Sequence, residues 1–178
     1  HHIACWENRN CKIISNKYLI RPISDNEIPI LKEFFYLAIF VPPGGDPFPR
    51  ELLKEPMLSK AYEKLGRHGD IALVAFNDKT KEIIGAAWVR LFKKNDPSYG
   101  FVDENAPDLA IAIKAEYRGK GIGTQLLKNI IRTLKENDFT AISLSVDERN
   151  NALRLYKRLG FEIIKHDEGE SPVMLLKI

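Results

Sequence analysis

Residues 118–124, Arg118-Gly119-Lys120-Gly121-Ile122-Gly123-Thr124, have the types and spacing of an anion-binding turn. The apolar run 109–113 leads into them through a short polar segment, and a helical pattern follows at once. A strand, a glycine-rich turn and a helix start, in that order, aim the unpaired N–H groups of the first helical turn at one point. The helix dipole also favours negative charge there. Gly119, Gly121 and Gly123 keep Cβ atoms out of the way, while Arg118 and Lys120 add positive charge. The dinucleotide fingerprint G-x-G-x-x-G is not met, because Thr124 stands where its third glycine belongs. No Gly-Lys-Ser/Thr run exists for a nucleoside-triphosphate loop either. By itself, R-x-x-G-x-G allows a diphosphate cradle or a tight turn that holds nothing.

A second motif, A-L-R-L-Y-K-R-L-G-F at residues 152–161, follows after one further helix and one further strand. Together with E-Y-R-G-K-G-I-G at 116–123, it resembles the GNAT superfamily of acyl-CoA N-acyltransferases. Ala115 stands where that family often has proline, a mild departure. The resemblance implies an α/β fold of order β-α-α-β-β-β-α-β-α-β-β, with helices on both faces of a mostly antiparallel, centrally splayed sheet. It implies that acetyl-CoA is the co-substrate. Arg118, Gly119, Lys120, Gly121, Ile122, Gly123 and Thr124 would hold its pyrophosphate, and Ile111, Ala112 and Ile113 would lie beside its pantetheine arm. Many members carry an asparagine seven residues before the tyrosine of the second motif. Here that position is Arg149, and Asn150 is the expected contact, unless it serves only as a helix cap.

By the same resemblance Tyr156 points at the cofactor sulfur, where a hydroxyl can assist the leaving thiolate. With a thiol near ~8.5 and a tyrosine near ~10, the proton exchange is expected to be close to balanced. Leu153 and Leu159 share its helical stripe, so packing alone is the competing role. The attacking amine must be neutral, and Glu104, Asp108 and Glu116 are the candidate bases, against the alternative that each is a solvated loop carboxylate. The N–H of Ile113 or a neighbour could stabilise the oxyanion. Phe35, Tyr36, Trp88 and Arg90 are candidates to line the acceptor pocket. The loop 41–50, with four prolines and two glycines, reads as a connector or a lid. The expected activity is acetyl transfer to a primary amine, on a small molecule or a peptide, in a ternary complex. A non-catalytic acyl-CoA-binding or sensor domain and a nucleotide-binding module are the alternatives.

The elements that must position these residues follow from periodicity. Residues 18–22 read as a strand and 28–40 as an amphipathic helix. A second helix is expected over 50–66, closed by Gly66. Residues 71–76 and 83–92 form a hairpin about the polar turn 77–81, and 93–108 is a loop or flap. Ile122, Leu126, Leu127, Ile130, Ile131 and Leu134 make one apolar stripe, ended by a left-handed Asn137. Residues 141–146 are a strand, and a helix over 152–159 is capped by Asn150 or Asn151 and closed by Gly160. Residues 161–164 and 173–178 form a terminal pair of strands.

The 178 residues suit one domain, 17–178, after an extension or tag remnant, 1–16, that begins His1-His2. A content of 44% hydrophobic and 29% charged residues excludes a disordered chain. No apolar run is long enough for a membrane span, and no signal peptide is evident, so a cytoplasmic location without a membrane partner is expected. A net charge of +3 is too small to argue for nucleic acid. Homodimerisation is left open. The cysteines, Cys5 and Cys11, lie far from either motif, and with four scattered histidines they make no metal constellation.

Overall fold

The computed structural model describes residues 17–178 and the backbone of Lys12–Ile13. Cys5 and Cys11 fall outside them. One eight-stranded sheet runs in the order β1-β2-β3-β4-β5-β6-β8-β7. The strands are β1 (Lys12–Ile13), β2 (Tyr18–Pro22), β3 (Ile71–Asn77), β4 (Ile83–Arg90), β5 (Asp108–Ile113), β6 (Ala141–Ser145), β7 (Glu162–Lys165) and β8 (Val173–Lys177). Every neighbouring pair is antiparallel except β5 and β6. The helices are α1 (Leu31–Ala38), the single turn α2 (Pro56–Ser59), α3 (Ile122–Glu136) and α4 (Ala152–Arg158). This is the expected mixed α/β order, preceded by the short β1.

Two apolar layers flank the sheet. On one face α3 presents Ile122, Leu126, Leu127, Ile130 and Leu134, all fully buried, to Leu73, Ala75, Ala87, Val89 and Leu109. Removing one such leucine would cost about 2–5 kcal/mol, so this stripe anchors the helix whose first turn matters below. On the other face α1 buries Leu31 and Phe34 against Val74, Ala86, Trp88 and Ala112. Small residues on β5 let α1 lie close to that strand.

Three expectations fail locally. The helix over 28–40 keeps only Leu31–Ala38, because Asp25–Ile30 is a 3-10 turn that contains Pro29 and Ile39 is extended. The helix over 50–66 breaks into a 3-10 turn (Arg50–Lys54) and α2, because Pro56 holds Glu55 extended at ψ 130°. Lys64 at φ 52° and Gly66 at φ 129° then end the segment. At the end of α3 the left-handed residue is Asp138, at φ 65°, and not Asn137, at φ −104°. Asn137 instead donates its side-chain amide to the Thr133 carbonyl, 2.8 Å away.

Candidate functional site

The sheet opens between its two parallel strands. β5 and β6 share one register pair, Asp108 with Ser143, where the Ser143 N–H donates to the Pro107 carbonyl at 2.9 Å. Past that point the pairing stops. On the other edge of β5 the Lys114 N–H donates to the Ile84 carbonyl at 2.8 Å. Antiparallel bonding alternates, so Ala110 and Ala112 turn their backbone groups to β4, and Ile111 and Ile113 turn theirs to the opening. Ala112, expected beside the pantetheine arm, therefore contributes no backbone group there. Its methyl is buried under α1. One opening-side group already has a partner: the Ile113 carbonyl accepts Arg118 Nε at 3.0 Å.

The opening leads to the glycine-rich turn. A 3-10 turn (Ala115–Tyr117) follows β5, held by Tyr117 Oη donating to Glu82 Oε2 at 3.2 Å and by Lys114 Nζ on Glu82 Oε1 at 2.9 Å. Lys114 and Tyr117 hold the Glu82 carboxyl below its usual range. Gly121 caps α3 at φ 80° and Gly119 stands at φ 75°, both conformations that disfavour a Cβ. A Cβ built on either would meet nothing within 4 Å, so this surface is open to an approaching ligand. No side chain caps α3, and its first turn holds no acid, so the N–H groups of Ile122, Gly123 and Thr124 keep their donor capacity. Arg118 and Lys120 are exposed beside them, with Lys120 Nζ lying 5.5 Å from the Tyr117 ring centre and 5.8 Å from that of Tyr18. Such a set fits a diphosphate bound mainly by backbone amides.

Tyr156 is buried on the α3 face, its ring 5.7 Å from that of Phe161. Its hydroxyl has no hydrogen-bond partner among the described residues. Burial pushes that hydroxyl up to about 12. Burial therefore favours the neutral phenol, which can donate a hydrogen bond to a thiolate. Asn151 is the N-cap residue of α4, and Asn150 in the turn before it accepts the Ala152 N–H on Oδ1 at 2.9 Å, which leaves its side-chain NH₂ as a donor. Arg149 is engaged by Asp147, at 2.8 and 3.0 Å, and lies 5.7 Å from the Phe40 ring centre.

Across the sheet, on the α1 face, the three candidate bases separate. Glu104 and Glu116 are exposed, and Glu116 sits at the glycine-rich end of the opening. Asp108 stands where β5 and β6 part. Its carboxyl is enclosed by residues 98–100, although the residue keeps some surface. Gly100 N–H donates to Oδ2 at 3.2 Å, and a Cβ on Gly100 would come within 2.5 Å of Oδ1. Burial raises this carboxyl to about 6, opposed by Ser98 and by the N–H groups of Gly100 and Leu109.

The expected pocket-lining residues are mostly committed elsewhere. Trp88 is 1% exposed and donates Nε1 to the Ala61 carbonyl at 2.8 Å. Arg90, 2% exposed, is bound by Asp70 at 3.0 Å and by the carbonyls of Lys60, Glu63 and Lys64. Phe35 stacks on Tyr62 and Trp88. Tyr36 donates its hydroxyl to the Phe48 carbonyl at 2.7 Å, which ties the 41–50 loop to α1. Ser98, Gly100 and Lys60 were not foreseen. They lie 8 to 48 residues from Asp108 in a polar loop and a turn, and no local pattern marks them. A groove of about 590 Å³, lined by Ile23, Leu65, Ile71, Arg132 and Glu136 among others, lies at the far end of α3, away from this opening.

Among the described residues no group of three His, Cys, Asp or Glu is placed to hold a metal, and no helix is long and apolar enough to cross a membrane. Mycothiol acetyltransferase of Propionibacterium freudenreichii is 26% identical over 101 residues, 56% of this chain and 30% of that protein. The chain spans less than half the length of the curated relatives it matches. Among solved structures, an acetyltransferase of GNAT family from Staphylococcus aureus superposes with a TM-score of 0.66 at 22% identity, over 90% of this chain and 98% of that one. The PaiA N-acetyltransferase of Thermoplasma acidophilum, solved in complex with coenzyme A, gives 0.61 at 20% identity, over 90% and 99%. These likenesses establish the fold. Residues 34–161 match the acetyltransferase (GNAT) family as a whole, and to that family the chain belongs.

Proposed function

We propose that this protein moves an acetyl group from acetyl-CoA to a primary amine by direct attack in a ternary complex. The observation that carries the reading is the β5–β6 opening beside the uncapped, glycine-lined start of α3, with Tyr156, whose hydroxyl has no partner among the described residues, on the same face. Bound acetyl-CoA supplies an activated thioester. The N–H groups of Ile122, Gly123 and Thr124, with Arg118 and Lys120, hold the diphosphate. The free backbone groups of Ile111 and Ile113 pair with the amide-bearing arm, and the Asn150 NH₂ adds a donor.

Asp108, on the opposite face at the base of the opening, takes a proton from the incoming ammonium. The N–H bond breaks as an O–H bond forms on the carboxyl, and the proton passes to solvent. Tyr156 hydrogen-bonds the departing sulfur. Burial, which pushes the phenol up to about 12, favours keeping its proton on the oxygen. Neither cysteine of the chain lies within residues 17–178, so no cysteine there can form an acyl-enzyme.

The test is a thiol-release screen with acetyl-CoA against peptides, polyamines, amino acids and aminoglycosides. Release with one acceptor class supports the reading. Tight acetyl-CoA binding without release for any amine would replace it with a non-catalytic acyl-CoA-binding role.

A further inference from the structure

Ser98 Oγ is buried and has no hydrogen-bond partner; it stands alone in that respect among the described residues. An orphaned buried hydroxyl costs stability unless something uses it. It lies close enough to the Asp108 carboxyl to oppose the effect of burial there, without making a hydrogen bond of ordinary geometry. The surrounding loop is not slack. Lys60 Nζ holds Asp96 Oδ1 at 2.9 Å and the Pro97 carbonyl at 2.6 Å, and residues 93 and 96 form a bridge. Two residues on, Gly100 has room for a hydrogen and no more, because the Asp108 carboxyl fills the space of a side chain. The loop is thus built against this carboxyl, with one N–H on Oδ2 and one unpartnered hydroxyl nearby.

Other charges near β5 are committed. Arg90, the cross-strand neighbour of Asp108 on β4, is bound by Asp70, and Asp96 by Lys60. On α1, Glu33 pairs with Arg50, and Tyr36 donates to the Phe48 carbonyl. Lys32 on α1 and Tyr99 on the loop are exposed. Ser143 on β6 is buried and uncharged. None of these charges contributes to the displacement of Asp108.

We infer that Ser98 is the positioning residue of Asp108: its hydroxyl turns onto the carboxylate when the carboxyl ionises, holding it charged and oriented to accept the proton of an ammonium. The inference rests on the proposed acetyl transfer only for the identity of the reaction. The coupling of the two side chains can be read without turnover. A hydrogen bond to the charged form lowers a carboxyl's midpoint, so its loss raises it.

The experiment follows the ¹³C signal of the Asp108 carboxyl against pH in wild type, Ser98→Ala and Ser98→Thr. Acid limbs of kcat/KM are measured alongside at saturating acetyl-CoA. The expected result is an upward move of the Asp108 midpoint by roughly one pH unit in Ser98→Ala. The wild-type value should return in Ser98→Thr, the kinetic limb should move in parallel, and acetyl-CoA affinity should stay unchanged. Coincident carboxyl titrations in wild type and Ser98→Ala overturn the inference. A moved carboxyl titration with an unmoved kinetic limb also overturns it, and leaves acetyl transfer standing. Absence of thiol release from wild type with every amine removes the reaction and the base role with it, while the carboxyl titration still decides whether Ser98 and Asp108 are coupled.

Discussion

Asp70, just before β3, and Asp108, at the start of β5, lie on either side of Arg90 in β4, and the fold treats them in opposite ways. Arg90 pairs in register with Asp108, so it is the cation nearest to hand. Its guanidinium nevertheless goes to Asp70, in an ion pair whose two side chains are 2% and 1% exposed. Its remaining donors take the carbonyls that end the 60–64 segment. Asp108 receives only N–H groups and a hydroxyl held in reserve. A buried carboxylate given a cation is a structural part. One left without a cation is held near the pH at which proteins work, where it can both take and release a proton.

That contrast predicts opposite outcomes for removing each partner. The largest effect belongs to Arg90→Ala, which strands a buried Asp70 and three carbonyls. The expected loss is about 3–5 kcal/mol in urea unfolding. A loss below about 1 kcal/mol would erase the distinction between the two aspartates.

Asp108→Asn should do the reverse: kcat falls by ~10²–10³ as a base is lost, while the fold gains stability near neutral pH. The sign follows from the carboxyl's rise to about 6 in the fold from 3.8. Burial favours the protonated form, so the group's contribution is intact below about pH 4 and lost as pH rises through about 6, by at most about 3 kcal/mol. The stability gap between variant and wild type should widen over that window while wild-type turnover rises. A variant less stable than wild type at pH 7 would mean that Asp108 is a structural anchor after all.

Tyr156→Phe sharpens the comparison from the other face. It removes one hydrogen bond to the leaving sulfur, and kcat should fall by up to ~10²-fold, the low end for such assistance. Acetyl-CoA affinity should hardly change. Because the hydroxyl titrates at about 12, no basic limb below pH 10 should disappear with it. Loss of such a limb would restore full proton transfer as its role.

The glycine-rich turn and the stripe of α3 were legible in the chain because their causes are local. Left-handed glycines, a helix start and a four-one-three spacing all act within a few residues. Tyr156 was legible by its motif, and its burial by the stripe that it shares with Leu153 and Leu159. The 50–66 segment was misread because apolar spacing was given more weight than Pro56. The sequence left Glu104, Asp108 and Glu116 equal, and that Asp108 alone of the three is enclosed came from the tertiary structure.

The chain by itself determined where an anion can be gripped, which strands and helices surround that point, and the family to which such an arrangement belongs. The first two come from backbone conformation and periodicity, which short stretches encode, and the family from the resemblance carried by the two motifs at 116–123 and 152–161. Only the folded structure decided which carboxyl is enclosed, which arginine is already taken, and that Ser98 and Gly100 close around Asp108. Each of these depends on contacts between residues distant in the chain, where burial and competition for partners, not residue type, set the chemistry.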